Sequence, residues 1–386
     1  MTFLFFKGSH MEKFDSVLKY EEKAVFGLRA LYRKYGYTQY KMSKFEEYEL
    51  YVRNKDFLVS DNVITFTDTN GRLMALKPDV TLSIIKNGSD DEGVVQKVYY
   101  NENVYRVSKG SHQFKEIMQV GLECIGAIDS YCISEVVMLA AESLLAVTEE
   151  CVLDVSHLGI VSACIDRLSP DEETRAAILK CVGEKNTHGI LALCREAALD
   201  TALAQTLVTL VSMHGDADTV LPLLRELCAG DAAALACVEE LADVVGALGN
   251  TKAAKVVSID FSVTSDMNYY NGIVFRGFVN GIPTGILSGG QYDKLMAKMG
   301  RKSGAIGFAV YLDLLERLEN DDAKYDVDTV ILYTEQDDME ALRGTVRMLT
   351  DAGQTVTAQK AIPEKLRYKQ LLRLCGKGVE IVEANA

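Results

Sequence analysis

The chain has 386 residues, enough for two or three domains. Its 41 Lys and Arg stand against 55 Asp and Glu, a formal charge of -14. That balance argues against a nucleic-acid backbone as the main partner, because such affinity comes from cations that release counterions. With 48% apolar and 25% charged residues, disordered, collagen-like and coiled-coil classes are excluded.

Gly8-Ser9-His10-Met11 reads as a vector remnant, and residues 1–11 as a non-native or disordered leader. Leu18, Ala24, Val25, Leu28, Leu31 and Tyr32 recur at helical spacing, and Gly36 suits the end of that helix. Val63 to Thr67 alternates like a strand, with Thr69-Asn70-Gly71 as a hairpin turn. A second helix is expected just after Pro78. Strands are expected at 97–100, 103–106 and 117–125, broken by a loop at Lys109-Gly110-Ser111. Residues 130–147 return to helical periodicity.

From Leu158 to Leu248 the chain is dense in Ala and Leu and divides into short helices. Ser169-Pro170-Asp171-Glu172 reads as a capping box with Pro at the first helical position, and Asp216 and Asp231 as later caps. Strand character resumes at Val256–Phe261 and runs through Tyr269-Tyr270 and Ile273-Val274-Phe275 to a glycine turn at Ser288-Gly289-Gly290. A helix is expected after Gly307 and a polar linker at 320–326. The tail then reads as strand 327–332, helix 338–352, a strand near Val356, helix 366–375 and a last short strand. Strands, a helical insert and more strands of the same kind predict an α+β chain with a discontinuous main domain. The divisions are 12–155 with 253–320 for the core, 156–252 for the helical insertion, and 327–386 for a small α/β domain.

Several kinds of chemistry drop out. The sequence has no GxxxxGK[ST] loop, no GxGxxG after a strand, no GxSxG elbow and no HExxH. Its five histidines are scattered, so neither a metal nor a cofactor is expected. The nine cysteines contain no CxxC pair, which favours a reducing, cytoplasmic setting over a disulfide framework. No apolar run is read as long enough to cross a bilayer, and no membrane association is expected.

The distinctive signal is a series of blocks in order. They are Leu76-Lys77-Pro78-Asp79-Val80-Thr81, Asn103-Val104-Tyr105-Arg106, Gln119-Val120-Gly121-Leu122-Glu123, Asn268-Tyr269-Tyr270-Asn271-Gly272, Gly289-Gly290-Gln291-Tyr292-Asp293 and Gly304-Ala305-Ile306-Gly307-Phe308-Ala309. Together they resemble the catalytic domain of class II histidyl-tRNA synthetases over roughly residues 14–318. The resemblance implies an antiparallel sheet flanked by helices, with the helical insertion and the small C-terminal α/β unit added to it.

The resemblance also assigns residues. Asp79 and Thr81 stand where the family holds the substrate ammonium. Gln119, Glu123, Tyr270 and Tyr292 stand around the imidazole. The chemistry suits histidine, since a carboxylate accepts from one ring N–H and a tyrosine hydroxyl serves the other nitrogen. Three arginines grip the triphosphate in the family; here the first survives as Arg106, while the others read Ser265 and Leu314. Ser108 replaces an acid and Gln291 an arginine. Loss of one donor in a related site can cost on the order of 10²–10³ in rate, so two lost cations imply that adenylation is gone. Arg317, one helical turn past Leu314, is read as solvated.

A kept amino-acid pocket beside a lost phosphate clamp resembles the ATP phosphoribosyltransferase regulatory subunits. Asp154-Val155-Ser156-His157-Leu158-Gly159-Ile160 and Asp260-Phe261-Ser262 resemble further segments of that family. It implies a non-catalytic chain that activates a short catalytic subunit and confers histidine feedback in the first step of histidine biosynthesis. The histidine-binding set is then Asp79, Thr81, Arg106, Gln119, Glu123, Tyr270 and Tyr292. The resemblance also implies a homodimer core, built through the first helix and strand, within a hetero-octamer. The competing expectations are a divergent histidyl-tRNA synthetase or other adenylate-forming ligase, and a scaffold with a relict pocket.

Overall fold

The computed structural model describes residues 18–385 except 56–57, 59–62, 89–90, 109–111, 265–268, 319–324 and 377. The leader, the Lys109–Ser111 loop, Ser265, Asn268 and most of the polar linker lie outside the described residues. Two units are present, 1–318 and 319–386.

The first unit opens with α1 (Tyr20–Lys34), which buries Ala24, Val25, Leu28 and Tyr32 and ends before Gly36 at φ +83°. Short elements follow: β1 (Thr38–Gln39), β2 (Phe45–Glu47), α2 (Tyr48–Arg53), β3 (Thr65–Thr67), β4 (Leu73–Leu76) and α3 (Thr81–Asn87). β3 and β4 form the expected hairpin across the Asn70-Gly71 turn and, with β2, a three-stranded sheet.

Next come β5 (Val95–Val107) and β6 (Phe114–Gly126), paired antiparallel over their full 13 residues. The strands expected at 97–100 and 103–106 are therefore one. Asn101 and Glu102 pair with Val120 and Gln119, so the polar pair does not break the ladder.

α4 (Ser130–Val147) starts at Asp129, whose carboxylate accepts from the Cys132 N–H at 2.9 Å. By length and composition this helix could cross a membrane, which corrects the reading that no apolar run was long enough. Its surroundings are those of a core helix. Val136, Val137, Leu139, Ala140, Ala141 and Leu144 are buried against the sheet, and Glu135 pairs with Lys97 at 2.6 Å.

After β7 (Cys151–His157) the Ala/Leu stretch forms α5 (Leu158–Leu168), α6 (Glu172–Gly183), α7 (Thr187–Glu196), α8 (Thr201–Ser212), β8 (His214–Gly215), α9 (Ala217–Cys228), α10 (Ala232–Gly246) and α11 (Lys252–Lys255). Asp216 and Asp231 cap α9 and α10 as expected. The Ser169 capping box is corrected. Ser169 ends α5 in the left-handed region at φ +49°, and Asp171 caps α6 by accepting from the Thr174 N–H. A left-handed residue cannot open a helix, so the start moves two residues on. The buried residues of these helices, among them Ile165, Leu207 and Leu241, join one apolar core with α4 and the sheet.

The chain returns as β9 (Val257–Asp260), β10 (Ile273–Val279), β11 (Leu287–Gln291), α12 (Asp293–Lys298) and β12 (Gly304–Tyr311), closed by a 3₁₀ turn at Leu312–Leu318. Two expectations are corrected here. Gly289 and Gly290 lie inside β11 rather than in a turn, and Gly304–Tyr311 is a strand, with helical turns only beyond it. The sheet order is β1-β5-β6-β12-β11-β10-β7-β9-β8, antiparallel from β5 to β7. This is the expected α+β architecture.

The second unit contains β13 (Val327–Leu332), α13 (Met339–Asp351), β14 (Val356–Gln359), β15 (Tyr368–Cys375) and β16 (Gly378–Ala384). The helix expected at 366–375 is β15. It pairs parallel to β13 and antiparallel to β16, and buries Leu371, Leu372 and Leu374. Two partner strands outweigh the helical propensity of its leucines.

Candidate functional site

One cross-strand row builds the site. Glu123 on β6 faces Gly307 on β12, which faces Gly290 on β11, which faces Val274 on β10. The glycines clear space above the sheet. A Cβ on Gly307 would lie 1.7 Å from Glu123 Oε2, and one on Gly290 would meet the Tyr270 ring at 3.0 Å.

Around Glu123 the structure gathers most of the set named from sequence. Thr81, at the start of α3, donates its hydroxyl to Glu123 Oε1 at 2.7 Å. Tyr292, at the junction of β11 and α12, donates to Oε2 at 2.6 Å. Tyr269 stacks between neighbours, its ring centroid 4.7 Å from Tyr270 and 5.9 Å from Tyr292. Asp79, just before α3, accepts from the Leu82 N–H at 3.0 Å in the first turn of that helix. Arg106 donates to the Pro78 carbonyl at 3.0 Å, and its charge acts on Asp79. Gln119 is buried four residues along β6 from Glu123, opposite Tyr311.

The segment that delivers Asp79 and Thr81 is pinned from below. Lys77 is fully buried and its ammonium meets Glu102 Oε2 at 2.5 Å. The Lys77 carbonyl accepts from the Tyr105 N–H at 2.9 Å.

Burial controls the electrostatics. It pushes the Glu123 carboxyl up to about 8, against the lowering effect of the Tyr292 and Thr81 hydrogen bonds, and Asp79 adds to the rise. Burial also raises Asp79, with the Leu82 N–H and Arg106 opposing it. Tyr269, Tyr292 and Tyr100 are lifted well above the usual phenol range by burial and stay neutral. Glu123, protonated near neutral pH, is ready to ionise when a cation or an N–H donor arrives beside it.

This has a consequence for stability. Folded, Glu123 keeps its proton to about pH 8; unfolded, it releases it near 4.5. Between those values the folded chain binds more protons, so stability falls as pH rises through the window and is fully present below it. Urea unfolding at pH 5, 6.5 and 8 should show this fall, and Glu123→Gln should flatten it. An unchanged slope in the variant would assign the dependence to other groups.

Sequence reasoning missed four residues on this face. Tyr100 lies across its partner Gly121, where a Cβ would sit 2.4 Å from the Tyr100 hydroxyl. Glu123, Asp79, Tyr311 and Tyr270 all act on that hydroxyl, which places it among them. Arg276, Ser288 and Tyr311 line a cavity of about 240 Å³ together with Val263, Tyr270 and Val274. Two-residue alternation from Val274 to Arg276 was the available signal, but its meaning depends on which face carries Glu123.

The replaced positions have other work. Gln291 accepts from the Ile273 N–H at 2.6 Å, beneath Gly272 at φ +111°, where a Cβ would strike it. Leu314 lies in the 3₁₀ turn, and Arg317 is exposed, as read. In the Asp154–Ile160 segment His157 caps α5. It accepts from the Gly159 N–H at Nδ1, which puts its ring proton on Nε2 facing Glu240 at 3.1 Å.

The family model for histidyl-tRNA synthetase matches residues 15–315. The chain belongs to the histidyl-tRNA synthetase family. Within it, similar relatives are named ATP phosphoribosyltransferase regulatory subunit. That of Ruminiclostridium cellulolyticum is 25% identical over 315 residues, 79% of this chain and 75% of the relative. That of Clostridium kluyveri is 27% identical over 325 residues, 81% of this chain and 83% of the relative. Among solved structures, an ATP phosphoribosyltransferase regulatory subunit/histidyl-tRNA synthetase from Bacillus halodurans aligns with a TM-score of 0.73 at 23% identity. That alignment covers 97% of this chain and all of the other. An ATP phosphoribosyl transferase (HisG:HisZ) complex from Thermotoga maritima includes a chain that aligns at 0.58 and 19% identity, over 76% of this chain and 97% of that one. Histidyl-tRNA synthetase from Nostoc aligns at 0.67 and 17% identity, over 91% and 87%. With these solved structures the chain shares its fold.

Proposed function

We propose that the chain is the regulatory subunit of ATP phosphoribosyltransferase, itself non-catalytic, that activates a short catalytic subunit and makes it sensitive to histidine. The relatives' names support the first part. The observation that carries the second is the buried carboxyl of Glu123, held by Thr81 and Tyr292, with Asp79 buried close enough to act on it. Such a pair selects a small ligand rich in N–H donors. At two of the three places where the family grips a triphosphate the chain has Ser265 and Leu314, which leaves adenylation without its cations. L-Histidine in this pocket regulates the catalytic partner to the extent that it binds the two states of the complex unequally. The assembly contains a homodimer of this chain within a hetero-octamer.

The test is a reconstitution. Catalytic subunit is assayed with and without this chain, and each mixture is titrated with L-histidine. Activity that rises on addition and falls with histidine is the expected result. Unchanged activity and sensitivity refute it. Histidine-dependent exchange of pyrophosphate into ATP by the chain alone would instead reveal a working ligase. Activation by a chain that gives no heat with histidine would leave a scaffold with a relict pocket.

A further inference from the structure

The cavity lined by Tyr270 and Val274, at the β10 end of the Glu123 row, has a cationic wall in Arg276. Strand alternation puts Arg276 on the same face as Val274, and so on the face of Glu123. Its cross-strand neighbour on one side is Ser288, whose hydroxyl lies 3.1 Å from that of Tyr311. On the other side stands Asp154, and the two do not pair; the cations that act on Asp154 are Lys185 and His214. The guanidinium lies 5.5 Å from the Phe278 ring and makes no ion pair among the described residues. Gly285 lets it settle there, since a Cβ at that position would sit 2.5 Å from Arg276 Nε.

The carboxyls stand outside the lining of that cavity, at the β6 end of the row. Arg276 and the Ser288 and Tyr311 hydroxyls stand toward β10, with Tyr270 beside them. Three strand spacings separate Glu123 from Val274 along that row, about 14 Å by the usual interstrand distance. The cavity, at about 240 Å³, falls below the range of about 300–1,000 Å³ common for larger ligands.

We propose that Arg276, with the Ser288 and Tyr311 hydroxyls, is an anion subsite that takes the carboxylate of the bound amino acid, opposite the carboxyls that take its N–H groups. Guanidinium and carboxylate match as a two-point hydrogen-bonded pair, and a partly buried site strengthens it. The arginine replaces, from a different strand, a cation that the family supplies from the position of Ser265. Ligand choice follows: a zwitterion is held at both ends, and an amine or alcohol of the same side chain at only one. The proposal rests on histidine as the ligand.

The test compares L-histidine with L-histidinol, which keeps the imidazole and the amine but lacks the carboxylate, by calorimetry on the full chain. Wild type is expected to bind histidine about 10–100-fold more tightly, the worth of a hydrogen bond to a charged group. Arg276→Met should lower histidine affinity to the histidinol level and leave histidinol unchanged, and Arg276→Lys should retain part of the difference. Should Arg276→Met not fold, Gly285→Ala, which crowds the guanidinium and keeps its charge, carries the same comparison. If neither ligand binds wild type, the histidine reading itself fails. If histidine binds and the variants weaken both ligands equally or not at all, the anion subsite is wrong while that reading stands. Inorganic phosphate binding more tightly than histidine also overturns the carboxylate assignment.

Discussion

Glu102→Ala is expected to lower the stability of the first unit by about 3 kcal/mol, at the low end of the range for breaking a buried pair. The reason is Lys77. Its ammonium is fully buried, and Glu102, mostly buried itself, is its ion-pair partner at 2.5 Å. Without that carboxylate a charge remains in an apolar place. For a unit of about 300 residues the fall in Tm is roughly 5 °C. Removing both charges is a different change, because well-packed apolar replacements of a buried pair are often neutral or better. Lys77→Met with Glu102→Leu should therefore recover most of the loss. A double variant as unstable as the single would show that the pair's shape, rather than the stranded charge, matters. Ligand affinity should fall in the single variant as well, since Lys77 leads directly into Pro78, Asp79 and Thr81.

Gly307→Ala is expected to be comparably costly and to abolish ligand binding. The added methyl would lie 1.7 Å from Glu123 Oε2 and 2.6 Å from the Leu122 carbonyl oxygen. β12 is paired on both sides, to β6 and β11, so the backbone cannot withdraw. Glu123 must turn away, which breaks its hydrogen bond to Tyr292. Overpacking of this kind costs about 1–3 kcal/mol, and an unmet buried partner adds about 1–3. Gly27→Ala in α1 is the control. Nothing lies within 4 Å of its added methyl, and the position is inside a helix. That substitution should stabilise by up to about 1 kcal/mol. Chemical denaturation of the two variants, with histidine titrated into each, separates a specific clash from a general intolerance of alanine. Equal effects at both positions would remove Gly307 from the site.

Much of the first unit was legible because its helices and hairpins carry local signals. The α1 stripe, the turn at Asn70-Gly71 and the caps at Asp216 and Asp231 are all set by neighbours within a few residues. Two of the misreadings share one cause: Gly289-Gly290 and residues 366–375 each carry a local signal that a distant partner overrides. Ser169 differs, because it closes the helix just before it. The glycines are held between β10 and β12. Residues 368–375 are claimed by β13 and β16.

For the site the division is similar. Asp79, Thr81, Glu123, Tyr270 and Tyr292 stand in recognisable blocks, so their types and order were open to view in the sequence. Arg276, Ser288, Tyr311 and Tyr100 were not, because no block marks them. They matter only through strand register, which decides the face on which each side chain stands.

By itself, then, the sequence determined the identity of the acids and tyrosines, the helices that carry their own caps, and the loss of two cations from the triphosphate grip. Only the tertiary structure decided that Glu123 gives both oxygens to Thr81 and Tyr292, that burial lifts its carboxyl to about 8, and that Arg276 lines a cavity with Tyr270 on the same face of the sheet. The physical reason is range. Helix periodicity and capping act over a few residues, whereas proton affinity and strand register depend on groups brought together from over a hundred residues away.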